Sequence, residues 1–250
     1  GQPALNMLDP FLLLDAFRSD KPEDYIAGFP PHPHRGFETV TYLLEGRMRH
    51  KDNAGHEGVI ESGGIQWMTA ARGIEHSEMP EQENGLLEGF QLWVNLPAEH
   101  KMDAPAYQEY SKEKIPVETR DDGSVIRVIT GTTSKGTRGP VVQPLTEPLY
   151  LDVSLPANQQ FDELLPQLHN AFVYVINGPI EIAGNSLSRD ELAILSEGES
   201  ISVNAAADDV RFLLIAGKPL NEPVARGGPF VMNTRDEIDQ AFEDYRAGRF

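Results

Sequence analysis

Residues 29–48 read FPPHPHRGFETVTYLLEGRM. The second half, FETVTYLLE from Phe37 to Glu45, is dense in β-branched and aromatic side chains and stops at Gly46, as a strand and its turn do. The first half sets His32 and His34 one residue apart among Pro30, Pro31 and Pro33. Alternate side chains of a strand share a face, so the two imidazoles project together, and Glu38 keeps their parity if the strand runs unbroken. Two imidazoles on one face are half of a metal site. A surface loop stiffened by three prolines would carry the same residues.

Similar strand units follow: IQWMTA (65–70), GIEHSEMP (73–80) and GFQLWVNLP (89–97). The segment 97–122, PAEHKMDAPAYQEYSKEKIPVETRDD, loses the apolar pattern and gains charge and proline, which marks a boundary. A second series then begins, with SVIRVITG (124–131), PLYLDVSLP (148–156), AFVYVINGPIEIAG (171–184), LAILSEGESISV (192–203) and VRFLLIAG (210–217). Short strands at regular spacing describe sandwiches or small barrels, so the fold class is all-β, in two tandem domains. An internal echo points to duplication: TVTYLLEG (39–46) aligns with AFVYVING (171–178), and ESGG (61–64) with LSEG (195–198). The end differs. In NTRDEIDQAFEDYRAGRF, Thr234 and Glu237 form a capping box, Ile238, Ala241, Phe242 and Tyr245 fall at helical spacing, and Gly248 supplies a stop. This amphipathic helix needs a β-domain face to cover.

The totals exclude several functions. A formal net charge of −18 over 250 residues repels a phosphate backbone, and the basic run RMRHK (47–51) is too short to offset it, so no direct nucleic-acid contact is expected. Without cysteine there are no disulfides, zinc–thiolate sites, iron–sulfur clusters or thiol catalysis, and any metal must sit on nitrogen and oxygen. No apolar run approaches the ~20 residues of a membrane span, and MLDPFLLLDAF (7–17) is interrupted by Asp9, Pro10 and Asp15. No membrane contact and a cytoplasmic location are the expectation.

The second half of a site lies at His76 and Glu78, again two apart on a predicted strand. Three imidazoles and a carboxylate suit a first-row divalent ion: Fe(II), Mn(II), Ni(II) or Cu(II). His50 and His56 flank the turn KDNAG, His100 lies in the charged connection and His169 in LPQLHN. These four read as solvated or loop residues without chemistry.

The motifs HPHRGFETVTYLLEG, QWMTAARGIEHSEMP, FQLWVNLP and GPFVMNTRDEIDQAFEDYRAGRF occur in the order found in pirins, and the chain resembles that family over nearly its whole length. The resemblance implies a bicupin: a metal-binding cupin barrel over residues 1–115, and a metal-free one over 116–250 that includes the terminal helix. It implies one divalent ion, Fe(II) first with Co(II) among the alternatives, held by His32, His34, His76 and Glu78. Cupins in general offer the glutamate at Glu38, which here becomes a pocket carboxylate beside the metal. The echo matches His32 and His34 to Leu164 and Pro166, and His76 and Glu78 to Val210 and Phe212. None of these would hold the metal in the same way. The resemblance further implies quercetin 2,3-dioxygenase activity on a flavonol and O2, with Glu78 or Glu38 as base. Phe37, Trp67, Met68 and Met79 are pocket walls or plain barrel core. The alternative is an iron-containing, redox-responsive protein that binds a transcriptional or metabolic protein partner. A monomer is expected.

Overall fold

Glycines and prolines punctuate the sequence, and the computed structural model, which describes residues 7–250, is built from short strands that pair antiparallel in every named sheet. The chain divides into two units: one runs to Lys112 and takes back Leu220–Phe250, and the other is Glu113–Pro219.

In the first unit the strands are β1 (Phe11–Ser19), β2 (Phe29–His34), β3 (Phe37–Glu45), β4 (Arg47–Asp52), β5 (Glu57–Glu61), β6 (Ile65–Thr69), β7 (Ile74–Pro80), β8 (Leu87–Asn95) and β9 (Ala106–Tyr110), with a short helix α1 (Pro22–Tyr25) after β1. A five-stranded sheet has the order β1-β8-β3-β6-β9, and a four-stranded sheet the order β2-β7-β4-β5. Leu43, Met48, Ile60 and Leu87 pack together with Tyr25 as an apolar plug between the two sheets. Burial of such side chains contributes roughly 1.5–3 kcal/mol each.

Between β2 and β3 the chain leaves one sheet for the other at Arg35-Gly36. Gly36 has φ +91°, and a Cβ there would lie 1.9 Å from the Val231 carbonyl oxygen. Only glycine fits a left-handed residue pressed against backbone. Buried Lys101 braces the turn: its ammonium donates to the carbonyls of Gly36 (2.6 Å) and Val231 (3.1 Å) and to Asn95 Oδ1 (2.6 Å). Burial pulls this amine down to about 8.

The terminal segment adds β20 (Ala225–Gly227), β21 (Phe230–Met232) and the helix α2 (Arg235–Arg246), which starts with the expected Thr234–Glu237 capping box. The division 1–115 and 116–250 assigns this helix to the second domain, and the structure corrects that. Ile238 and Ala241 are buried against Phe230 and Met232, and Arg35 Nη1 donates to Asp244 at 2.7 Å while its guanidinium lies 4.4 Å from the Phe250 ring. The apolar stripe and one ion pair therefore bind α2 to the unit that carries β2.

In the second unit the strands are β10 (Val117–Thr119), β11 (Val125–Thr130), β12 (Leu149–Leu155), β13 (Gln160–Leu164), β14 (Asn170–Asn177), β15 (Ile180–Ile182), β16 (Asn185–Leu187), β17 (Leu192–Ile194), β18 (Ser200–Ala205) and β19 (Val210–Gly217). They form sheets of order β10-β11-β12-β19-β14-β17 and β13-β18-β15-β16 around one apolar core that includes Phe161, Leu165, Ile201, Val203 and Phe212. The first echo survives: Leu43 exchanges hydrogen bonds with Gly63 and Gly64 as Val175 does with Asp190 and Glu191. The second does not, because the turn equivalent to Gly63-Gly64 is Asp190-Glu191, ahead of β17, rather than LSEG behind it. Met48 faces Pro80 as Ile180 faces Ala205, which matches His76 to Ile201 and Glu78 to Val203 instead of Val210 and Phe212.

Gly36→Ala is expected to lower the unfolding free energy by about 2–3 kcal/mol, the scale of a strained left-handed residue plus a backbone clash. Urea unfolding of the two proteins checks it.

Candidate metal centre

The β2–β7 ladder sets His32 directly opposite His76, and His34 opposite Ile74. One nitrogen from each of His32, His34 and His76 lies within 4.8 Å of the others. The ring centroids are 4.5 Å apart for His32 and His76, 4.7 Å for His32 and His34, and 5.1 Å for His34 and His76. The prolines aim the pair: extended backbone through Pro30, Pro31 and Pro33 cannot coil, so β2 delivers both rings to one place.

His32 donates from Nδ1 to the Pro30 carbonyl at 2.8 Å, which leaves Nε2 with its lone pair free. The nitrogens of His34 and His76 are buried without a well-formed hydrogen bond. Burial, then the neighbouring rings, holds His34 well below the ordinary histidine value; the Pro229 carbonyl only partly opposes this. Burial and the charge of His32 and His50 bring His76 down to about 3. These are neutral imidazoles with free lone pairs, the state in which histidine binds a metal. The donor set fits a divalent first-row ion.

Glu78 lies on the same face of β7 as His76, fully buried, but outside the group of three converging nitrogens. Its Oε1 accepts from Thr41 Oγ1 at 3.0 Å and its Oε2 from Gln91 Nε2 at 2.9 Å. Gln91 is itself oriented, because Trp93 Nε1 donates to its Oε1 at 3.2 Å. Phe37 and Trp93 stand 5.1 and 5.4 Å from His34 and wall the cluster.

Glu38 does not join them. It is three residues from Thr41 on β3, hence on the opposite face of the sheet, where Thr69 Oγ1 donates to its Oε1 at 2.7 Å. The parity argument fails at Gly36, where the left-handed turn and the change of sheet separate β2 from β3. Trp67, opposite Val40, shares that outer face, and Met79 points away from the face of His76 and Glu78. Met68, opposite Thr39, does face inward.

His50 departs furthest from its reading as a solvated turn residue. It is buried on β4 opposite Glu78, with Nε2 2.6 Å from Glu109 Oε1, which also accepts from Gln66 Nε2 at 2.7 Å. Beside it Tyr107 donates to Asp52 Oδ2 at 2.8 Å, and burial and that carboxylate push the phenol far up. Alternation along RMRHKD, with Met48, His50 and Asp52 in phase, was the available signal. His56 is exposed as expected, while His100 and His169 are half-buried.

The Pirin family model matches residues 1–94, and the Pirin C-terminal cupin domain model residues 150–250. A pirin-like protein of Caulobacter vibrioides is 53% identical over 250 residues, covering 100% of this chain and 90% of its own length. Pirin of Homo sapiens is 46% identical over 252 residues, covering 98% and 84%. A crystal structure titled quercetin 2,3-dioxygenase, from Acinetobacter baumannii, superposes with a TM-score of 0.90 at 39% identity, covering 96% of this chain and 86% of that one.

In the metal-free chain the folded state refuses protons on His34 and His76 that the unfolded state accepts near the ordinary value of 6.5. Stability is therefore expected to fall as pH drops below about 6.5, by up to about 1.4 kcal/mol per pH unit for each ring. Urea midpoints between pH 7 and 5.5 measure the slope, and His76→Leu should flatten it. In the metal-loaded protein, His32→Ala and His76→Ala should each lose stoichiometric metal by elemental analysis.

Proposed function

The chain belongs to the pirin family, and we propose that it is a metal-dependent dioxygenase that opens a flavonol such as quercetin with O2. The observation that carries this reading is the convergence of three imidazoles beside a buried carboxylate held by two donors. A divalent ion bound there, Fe(II) by our reading, supplies a Lewis-acid seat for a substrate oxygen and a route for electrons to O2.

His32, His34 and His76 hold the ion, and Glu78 completes the site as its carboxylate. Glu78 also takes the proton of the flavonol 3-hydroxyl. Thr41 and Gln91 keep its oxygens fixed while that proton arrives, and Trp93 locks the Gln91 amide. The planar faces of Phe37 and Trp93 exclude water and suit an aromatic substrate. Both atoms of O2 enter the products, and one ring carbon leaves as carbon monoxide. With Glu38 on the outer face, Glu78 alone is assigned the role of base.

A second reading has one observation in its favour. Arg35, the residue after His34, donates to Asp244 of α2 and to the Arg72 carbonyl, so a change at the metal is mechanically linked to a surface helix. In that reading the ion's redox state alters a surface offered to a protein partner.

Anaerobic reconstitution with Fe(II) followed by exposure to air tests both. Loss of the flavonol absorbance band is expected, slowed by Glu78→Gln about 10²-fold or more, the scale of a lost general base. Stoichiometric iron with no flavonol loss would reject the oxygenase and leave the redox-linked reading.

A further inference from the structure

The two units solve the same edge problem differently. In the first, β6 pairs with β3 on one side and is covered on the other by β9, residues Ala106–Tyr110. Its equivalent in the second unit is β17, which pairs with β14 as β6 pairs with β3 and then ends the sheet. The chain that could have covered it, Leu220 onward, belongs to the first unit. The site of a strand in one barrel is thus an open edge in the other.

That edge is short, three residues, but it carries neither lysine nor proline. Natural proteins blunt edge strands with lysine, proline or a covering loop. Here the edge reads Leu192-Ala193-Ile194-Leu195, with Leu192 44% and Ile194 47% exposed. Val175 N–H bonds to Glu191 O, and Leu195 N–H to Ala171 O. By antiparallel alternation the N–H and C=O groups of Leu192 and Ile194 then point outward along the free edge. A groove of about 820 Å³ runs beside them, floored by Ile182, Leu187 and Ile201.

We propose that this edge is a docking site for an extended segment of a partner protein, which adds to β17 as a seventh strand and carries basic residues around a short apolar run. Main-chain hydrogen bonds supply affinity and the groove takes alternate side chains, the mode of strand addition. Charge selects the occupant. Glu191 and Glu197 line the groove, no basic residue among the described ones does, and Glu199 is exposed nearby. A second copy of a chain of net charge −18 is repelled from such a rim. The proposal does not depend on the metal or on the oxygenase reading.

The test uses the full chain and a fluorescein-labelled, end-blocked heptapeptide, Lys-Val-Thr-Val-Thr-Val-Lys. Fluorescence anisotropy should show saturable binding below 1 mM at low salt. Hydrogen exchange should slow at residues 192–194. Two substitutions leave the existing ladder intact: Leu192→Pro removes an outward donor, and Ile194→Lys protects the edge. Each should weaken binding at least tenfold with unchanged circular dichroism, and a peptide with Glu in place of Lys should bind at least tenfold more weakly. No saturation by 1 mM, equal binding of the two peptides, undiminished binding by either variant, or protection of 192–194 by self-association of the protein alone would overturn the proposal.

Discussion

Buried imidazole nitrogens without partners are costly, and this structure places several of them together. Leaving a buried polar atom unsatisfied costs about 1–3 kcal/mol, so the meeting of His32, His34 and His76 is a position the rest of the fold has to sustain. A cation in their midst removes that cost, because each lone pair then has an acceptor of electron density. The same desolvation that makes the rings poor bases keeps them neutral and ready to bind. Burial of these rings and their fitness to ligate an ion are two sides of one interaction.

What sustains the cluster is a set of anchors around the Arg35-Gly36 turn. Lys101 holds the Gly36 carbonyl, Arg35 holds the Arg72 carbonyl and Asp244, and the Val231 N–H bonds to the Arg35 carbonyl at 3.0 Å. The carboxyl of Asp244 is held down to about 2, first by Arg35 and then by Arg249, so this ion pair persists through the physiological range. Residues more than a hundred positions away in sequence thereby fix the angle at which β2 ends. That explains why β20, β21 and α2 return to the first unit after the second is complete.

Much of this is legible in the amino-acid sequence. The strand series, the capping box at Thr234 and the His32, His34 and His76 set follow from local patterns, and local patterns survive folding. The failures share a cause. Glu38 was carried into the site by parity, and parity holds only within one strand; a single left-handed glycine reset it. Lys101 falls in the charged stretch 97–122 that reads as a boundary, and nothing local reveals that three acceptors close over its amine. His50 reads as a turn residue by its neighbours, although the alternation of RMRHKD marks it as inward. The helix was assigned to the nearer domain because sequence order does not record which surface its stripe covers.

The two barrels show why one duplicated scaffold holds a metal-binding set in only one copy. The ladders match Glu78 to Val203 and His76 to Ile201, both in a continuous apolar core, while Glu163, opposite Ile201, is taken by Arg120 at 2.6 Å. A polar interior such as that around Thr41, Glu78 and Gln91 needs every group satisfied, and one missing donor would cost more than an apolar replacement. The second barrel has taken that replacement at the matched positions, and the buried carboxylate it keeps there, Glu163, is satisfied by Arg120 and by the Ser134 N–H rather than left to converge with imidazoles.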